Sequence, residues 1–148
     1  MALAILITGS PSAAQDIVQE TFVKALDARL RDTDGTVNGL LGTIAYRLAL
    51  KELKRVGRHA ELNVPDQLDP GPDPLDIVLI DERDRLVAQA IRSLDKDHRD
   101  PLVLRFYGGH SYDEIAGVLN IPLGTVKSRI FIAVRTCREI LREKGVLE

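Results

Sequence analysis

The stretch 111–138, SYDEIAGVLNIPLGTVKSRIFIAVRTCR, decides the fold of this chain. Ser111 followed three residues later by Glu114 is a capping-box pattern, the signature of a helix start. Ile115, Ala116 and Leu119 recur at helical spacing and face inward on a short helix. Asn120 and Ile121 make a tight turn, and Pro122 restricts the backbone at the entry to a longer helix. Two helices joined in this way form a helix-turn-helix. Ala116 is small where the helices must cross closely, and Ile121 and Val126 fill the gap between them. Thr125, Lys127, Ser128 and Arg129 are left at the exposed start of the second helix.

That start suits a DNA duplex. Its free backbone N–H groups favour phosphate, and first-turn side chains of a recognition helix reach base edges in the major groove. Lys127 and Arg129 can donate to guanine acceptors or to phosphates, and Thr125 and Ser128 can reach either. The plainer alternative is a helical hairpin with a charged outer face. Cap, small residue, turn and basic second helix in that order favour DNA.

Outward from this motif the chain reads as helical throughout. VPDQLDPGPDPLD (64–76) holds four prolines and a glycine. Proline removes backbone donors and restricts its neighbours, so no helix or central strand runs through it. The expected fold is all-α: two small helical domains, 1–57 and 75–148, joined by a Pro-rich linker, 58–74, with the helix-turn-helix in the second. In the first half, Ser12 with Gln15 reads as a cap. Ile17, Val18, Phe22, Ala25, Leu26 and Leu30 then form one apolar stripe, ended by Asp32, Asp34 and Gly35. A second helix is expected over about 40–55, with Leu41, Ile44, Ala45, Leu48 and Leu53 inward and Gly57 as its C-terminal cap. After the linker, a helix is expected over 75–94 (Leu75, Val78, Leu79, Leu86, Val87, Ala90, Ile91, Leu94). Another starts at Asp95 or Asp100, with Pro101 at its first position in the second case, and ends at Gly108-Gly109.

The chain has 148 residues, 45% hydrophobic and 28% charged, as a folded protein has. Net charge is −2, but the charge is uneven. Residues 44–58 carry a local +4 and residues 122–144 another +4, with −3 over 58–74 between them. Two basic islands suit a protein that grips a polyanion at two points, though they would serve equally as solvated helix faces. One cysteine, Cys137, excludes a disulfide scaffold within the chain and a thiolate-cluster zinc site. It reads as a small buried apolar residue. His59, His98 and His110 lack metal-site spacing, and no nucleophile–base set or phosphate loop stands out. Neither catalysis nor a metal or other cofactor is expected. The longest apolar run, Ala2 to Ile7, is too short to span a bilayer and lacks a basic leader. A cytoplasmic protein without membrane insertion is expected.

Three segments carry a resemblance. LDKDHRDPLVLRFYGGHSYDEIAGVLNIPLGTVKSRI (94–130) resembles region 4 of extracytoplasmic-function (ECF) sigma factors. AAQDIVQETFVKAL (13–26) resembles their region 2.2, and LLGTIAYRLALKELKR (40–55) their regions 2.3 and 2.4. The resemblance implies a promoter-specificity subunit that binds core RNA polymerase and directs initiation without a cofactor. By the same resemblance, Asp16, Gln19, Glu20 and Phe22 dock on the clamp helices of the polymerase largest subunit. For Phe22, which lies on the apolar stripe, core packing is favoured over docking. Tyr46, Arg47, Lys51, Lys54 and Arg55 meet the downstream promoter element. Thr125, Lys127, Ser128, Arg129 and Phe131, with Arg135 further along, meet the upstream (−35) element. Core packing competes for Tyr46 and Phe131 too. Control by an anti-sigma factor is implied by the family alone.

The chain departs from the family in three places. Only MALAILITGSPS precedes the region 2.2 segment, where a long helix is usual, so apolar core surface needs cover from a partner, a second copy or a rearrangement. Ile132 and Val134 stand where Arg is common, which lowers phosphate contact. Pro101 replaces a usual apolar residue. The short start and the Ile132 and Val134 substitutions favour an alternative, a sigma-like regulator that binds an anti-sigma factor or polymerase without initiating. A LuxR-type helix-turn-helix regulator is a further alternative. The sigma reading requires Lys127 and Arg129 to be accessible and the two halves to keep separate cores.

Overall fold

The computed structural model describes residues 1–29, 37–62 and 81–147. Among them are seven helices and no strand: α1 Ala2–Thr8, α2 Pro11–Arg29, α3 Val37–Leu62, α4 Glu82–Ser93, α5 Lys96–Phe106, α6 Tyr112–Leu119 and α7 Leu123–Glu143. The all-α expectation holds, with three helices before the linker and four after it. Most of the linker, together with Leu30, Asp32, Asp34, Gly35, Leu75, Val78 and Leu79, lies outside the described residues.

Helix α1 organises the N-terminal half. Leu3, Ala4, Ile5, Leu6 and Ile7 are all buried, and Gly9 closes the helix at φ 71°. A helix that is apolar on every side must be covered on every side. Helices α2 and α3 cover part of it, and α4 and α5 of the C-terminal half cover the rest. Leu3 to Ile7 of α1 are thus buried by both halves of the chain, while Phe22, Val23 and Leu26 of α2 stay exposed.

The start of α2 differs from expectation. Ser10, not Ser12, is the cap: its Oγ accepts from the Ala13 N–H at 3.2 Å. Pro11 takes the first helical position, where its missing donor costs nothing. Inward on α2 are Ala14, Ile17, Thr21 and Ala25. Helix α3 runs through Gly57 to Leu62, so Gly57 does not cap it and the region expected to begin a linker at 58 is still helical. Leu53, expected inward, is 36% exposed.

In the C-terminal half, Asp95 precedes α5, and its carboxylate pairs with the His98 Nδ1 at 2.5 Å. Pro101 lies inside α5 rather than at its first position, with its ring buried. It leaves the Asp97 carbonyl without its helical donor. Gly108 and Gly109 stop the helix as expected, Gly109 at φ 69°. Helices α4, α5 and α6 pack on α7, and Cys137 is buried on its inner face, where burial pushes the thiol up.

The expectation of separate cores is wrong: the two helical halves share one, and the family assignment does not depend on their separation in this conformation. Buried apolar residues from Leu3 to Leu141 form one cluster. The seam between the halves also carries polar contacts. The Tyr46 hydroxyl donates to Asp100 Oδ2 at 2.5 Å, and Thr43 Oγ1 lies 2.8 Å from His110 Nε2. One guanidinium nitrogen of Arg92 donates to the Ile5 and Leu6 carbonyls at 3.2 and 3.3 Å, near the C-terminal end of α1, where cations are favoured.

Candidate nucleic-acid interface

The helix-turn-helix forms as its sequence dictates. Ser111 Oγ accepts from the Glu114 N–H at 3.1 Å, and the Ser111 N–H donates to Glu114 Oε1 at 3.2 Å, which completes the capping box. Arg105 fixes the approach to it: Nη1 donates to the His110 carbonyl at 3.0 Å, and the guanidinium lies 4.7 Å from the Tyr112 ring centroid. Asn120 turns the chain at φ 55°, ψ 50°, a left-handed conformation that Asn tolerates. The Ile121 N–H returns to the Ala116 carbonyl at 3.1 Å. Helices α6 and α7 meet at a 104° bend. Ile115 and Val126 are fully buried between the helices, with Ala116 and Ile121 partly buried beside them.

Pro122 precedes α7 and makes no side-chain cap, so the first N–H groups of α7 stay open to a ligand. Lys127 and Ser128 are exposed, and Thr125 and Arg129 are half-buried. The Ser128 hydroxyl donates to the Thr125 carbonyl at 3.1 Å. Phe131 is 68% exposed, so core packing does not account for it. Arg135 is exposed and paired with Glu139 at 3.3 Å, which draws part of its charge away from a ligand. Ile132 is exposed, whereas Val134 packs against the core. Of the two positions where Arg is common in the family, only 132 faces solvent.

The other expected site residues lie on α2 and α3. Asp16, Gln19 and Glu20 are exposed, with Glu20 3.7 Å from Lys24. Phe22 is 56% exposed, so the core reading for it is wrong: the stripe that holds α2 in the bundle passes through Ala14, Ile17, Thr21 and Ala25 instead. Val23 and Leu26 share its exposure, and the sequence reading missed both as outward residues. Arg47, Lys51, Lys54 and Arg55 are exposed along α3. Arg55 bonds Glu52 at 2.7 and 3.0 Å, and the guanidinium holds the Glu52 carboxyl below its usual range. A cleft between α2 and α3, about 790 Å³, has Asp16 and Glu20 on one wall and Lys51, Lys54 and Arg55 on the other. Asp16 and Glu20, expected to meet polymerase, thus share one cleft with Lys51, Lys54 and Arg55, expected to meet DNA, while Gln19, Phe22 and Arg47 do not line it.

Tyr46 is a correction. It is 2% exposed, covered by α5, and cannot meet DNA in this conformation. Burial, then the hydrogen bond to Asp100, raise its phenol far above the ordinary range. No cluster of metal-ligating side chains occurs among the described residues. No single helix among them is long and apolar enough to cross a membrane.

Comparison with known proteins places these elements. The sigma-70 region 2 family profile matches residues 1–59, and the sigma-70 region 4 profile matches residues 84–137. The ECF RNA polymerase sigma factor SigL of Mycobacterium tuberculosis is 34% identical over 152 residues, covering 97% of this chain and 82% of that protein. The ECF RNA polymerase sigma-E factor of Salmonella typhimurium is 33% identical over 132 residues, covering 80% of this chain and 68% of that one. Among solved structures, the sigma factor RpoE in complex with the anti-sigma factor NepR, from Bartonella quintana, shares the fold with a TM-score of 0.73 at 23% identity. The match covers 95% of this chain and 88% of that one. This chain belongs to the ECF RNA polymerase sigma factors, DNA-binding regulators that join core polymerase and direct transcription initiation at promoters.

Proposed function

We infer that three faces of the molecule divide the work of initiation. The outward face of α2 (Asp16, Gln19, Glu20 and Phe22) docks on the clamp helices of the polymerase largest subunit. Arg47, Lys51, Lys54 and Arg55 on α3 meet the downstream promoter element. Thr125, Lys127, Ser128 and Arg129 at the start of α7, with Phe131 and Arg135, meet the −35 element. The functional units are 1–57 and 75–148; within the expected tether 58–74, only the part beyond Leu62, where α3 ends, links them.

The observation that carries this reading is the helix-turn-helix, with its 104° bend, uncapped second helix and accessible Lys127, Ser128 and Arg129. The exposed Phe22, Val23 and Leu26 beside acidic α2 residues support the docking face, because exposed apolar clusters mark interaction surfaces. Likeness to a sigma factor solved with an anti-sigma factor supports regulation by such a partner. The protein works in the cytoplasm, where polymerase is, and performs no catalysis of its own.

Retention of the chain by immobilised core polymerase tests the docking face. Charge reversal of Asp16 and Glu20 together is expected to abolish retention. Undiminished retention of that double variant removes the α2 assignment.

A further inference from the structure

We propose that Ile132 on α7 selects thymine in the promoter duplex, by packing on the C5 methyl group that thymine alone presents in the major groove. The assignment rests on the reading above, in which α7 enters the −35 element, and adds which base one side chain there prefers.

The exposed face of α7 is not uniformly charged. Residues four apart lie in a row along a helix. One row on α7 is Lys127, Phe131 and Arg135, with an exposed cation at each end. The row beside it is Ser128, Ile132 and Thr136, and it carries no cation. Ile132, at its centre, is 47% exposed, next to the exposed ring of Phe131. The inner face of α7 is filled by Val126, Ile130, Ala133, Cys137 and Leu141. The core does not need Ile132, which stands on the outer face beside Phe131.

The hydroxyls on either side of Ile132 are turned back on α7. Ser128 Oγ donates to the Thr125 carbonyl at 3.1 Å, and Thr136 Oγ1 donates to the Ile132 carbonyl at 2.9 Å. With both protons engaged, neither hydroxyl offers a donor to a base edge. Arg135 leans to Glu139 at 3.3 Å. The middle of α7 therefore meets its partner by shape more than by hydrogen bonding. Arg129 and Arg135 stand three residues either side of Ile132, and a cationic rim favours a phosphate-lined groove over an apolar protein surface.

Within that groove an isoleucine fits one base. Guanine presents two acceptors, adenine an acceptor and a donor, and cytosine a donor; thymine adds a methyl group. Isoleucine laid over a polar edge removes its water and returns no hydrogen bond, which costs free energy. Laid over the methyl, two apolar surfaces leave water together. Isoleucine is also stiff: in a helix it holds one preferred χ1 rotamer, so its branched end is fixed in space before DNA arrives. An arginine here would be long and mobile and would donate to guanine or to phosphate. Isoleucine gives up that cation and gains a fixed apolar contact.

Holoenzyme formed from the full chain and purified core polymerase captures duplexes from a pool randomised across the −35 element. Wild type, Ile132→Ala, Ile132→Arg and Lys127→Ala/Arg129→Ala are compared. Each thymine of the captured element is then replaced in turn by deoxyuridine, which lacks only the C5 methyl. At one thymine the wild type is expected to lose about fourfold in affinity, the effect of one buried methyl group. Ile132→Ala should be indifferent to the replacement at that thymine. Ile132→Arg should lose the thymine preference there and steepen the salt dependence by about one ion. The proposal is overturned by a wild type that tolerates every replacement within about 1.5-fold. It is equally overturned if Ile132→Ala stays sensitive wherever the wild type is, or if Ile132→Arg keeps the preference. Weaker retention of Ile132→Ala by core polymerase, with thymine preference intact, makes Ile132 a protein contact and also overturns it. If Lys127→Ala/Arg129→Ala captures DNA as well as the wild type, or the wild type captures none, the −35 reading itself fails and the Ile132 assignment with it.

Discussion

Tyr46→Phe isolates one hydrogen bond at the centre of the molecule. The ring stays and its burial with it, since only the hydroxyl that donates to Asp100 Oδ2 at 2.5 Å is removed. A hydrogen bond to a charged partner contributes about 1.5–3 kcal/mol. Asp100 is 2% exposed but is not orphaned by the change: Lys96 Nζ lies 3.7 Å from Oδ2 and Arg99 Nε 3.4 Å from Oδ1. Those cations keep the carboxylate compensated, which sets the expected loss near about 2 kcal/mol. In a chain of this length that is a Tm fall of roughly 4–8 °C. Urea unfolding followed by far-UV circular dichroism reads it as a lower midpoint with an unchanged slope. The double variant with Asp100→Asn closes a mutant cycle, and the coupling term should account for most of the Tyr46 loss. A loss below about 0.5 kcal/mol refutes the reasoning. So does a loss that stays undiminished in the Asp100→Asn background.

Other parts of the molecule give three further expectations. Tyr46 has a folded phenol pKa raised above its ordinary 10.0, so it ionises first in the unfolded chain. Its stabilising effect is complete below about pH 10 and is lost as pH rises, at up to about 1.4 kcal/mol per pH unit. Urea midpoints between pH 9 and 11 should fall less steeply for Tyr46→Phe than for wild type, and equal slopes would contradict this. Ser111→Ala removes one arm of the capping box before α6 and should cost about 1 kcal/mol in thermal unfolding, with no measurable loss counting against the cap. At the start of α7, Arg129→Ala should weaken binding to the cognate −35 sequence by about 1–3 kcal/mol and spare scrambled DNA. Lys127→Ala should weaken both alike and lower the salt dependence by about one ion. Equal losses on both sequences for Arg129→Ala would make that residue a backbone anchor.

The parts legible in the sequence were those whose causes are local. The capping box needs only Ser111 and Glu114, three positions apart, and both of its hydrogen bonds form. The turn needs only a residue that tolerates φ 55°, and Asn120 is one. Helix α2 was harder because it carries apolar residues on two faces. Ile17 and Ala25 look inward and Phe22, Val23 and Leu26 outward, so periodicity alone merges a packing face with an exposed apolar one. Gly57 was misread as a stop because nothing local distinguishes a cap from an exposed glycine inside a continuing helix. The seam was illegible for a different reason. Tyr46 and Asp100 are 54 positions apart, and Thr43 and His110 are 67 apart. No pattern within a window joins them, and the resemblance pointed Tyr46 toward DNA instead.

The central claim is that this chain brings core polymerase to a promoter through two separately engaged halves. Run-off transcription with purified core enzyme on a promoter-bearing template tests it most directly. The wild-type chain is expected to yield a discrete promoter-dependent transcript. The Lys127→Ala/Arg129→Ala variant should lose that transcript yet still be retained by core polymerase. Polymerase retention by the wild type with no promoter-dependent transcript, or a transcript undiminished in the double variant, would contradict the account.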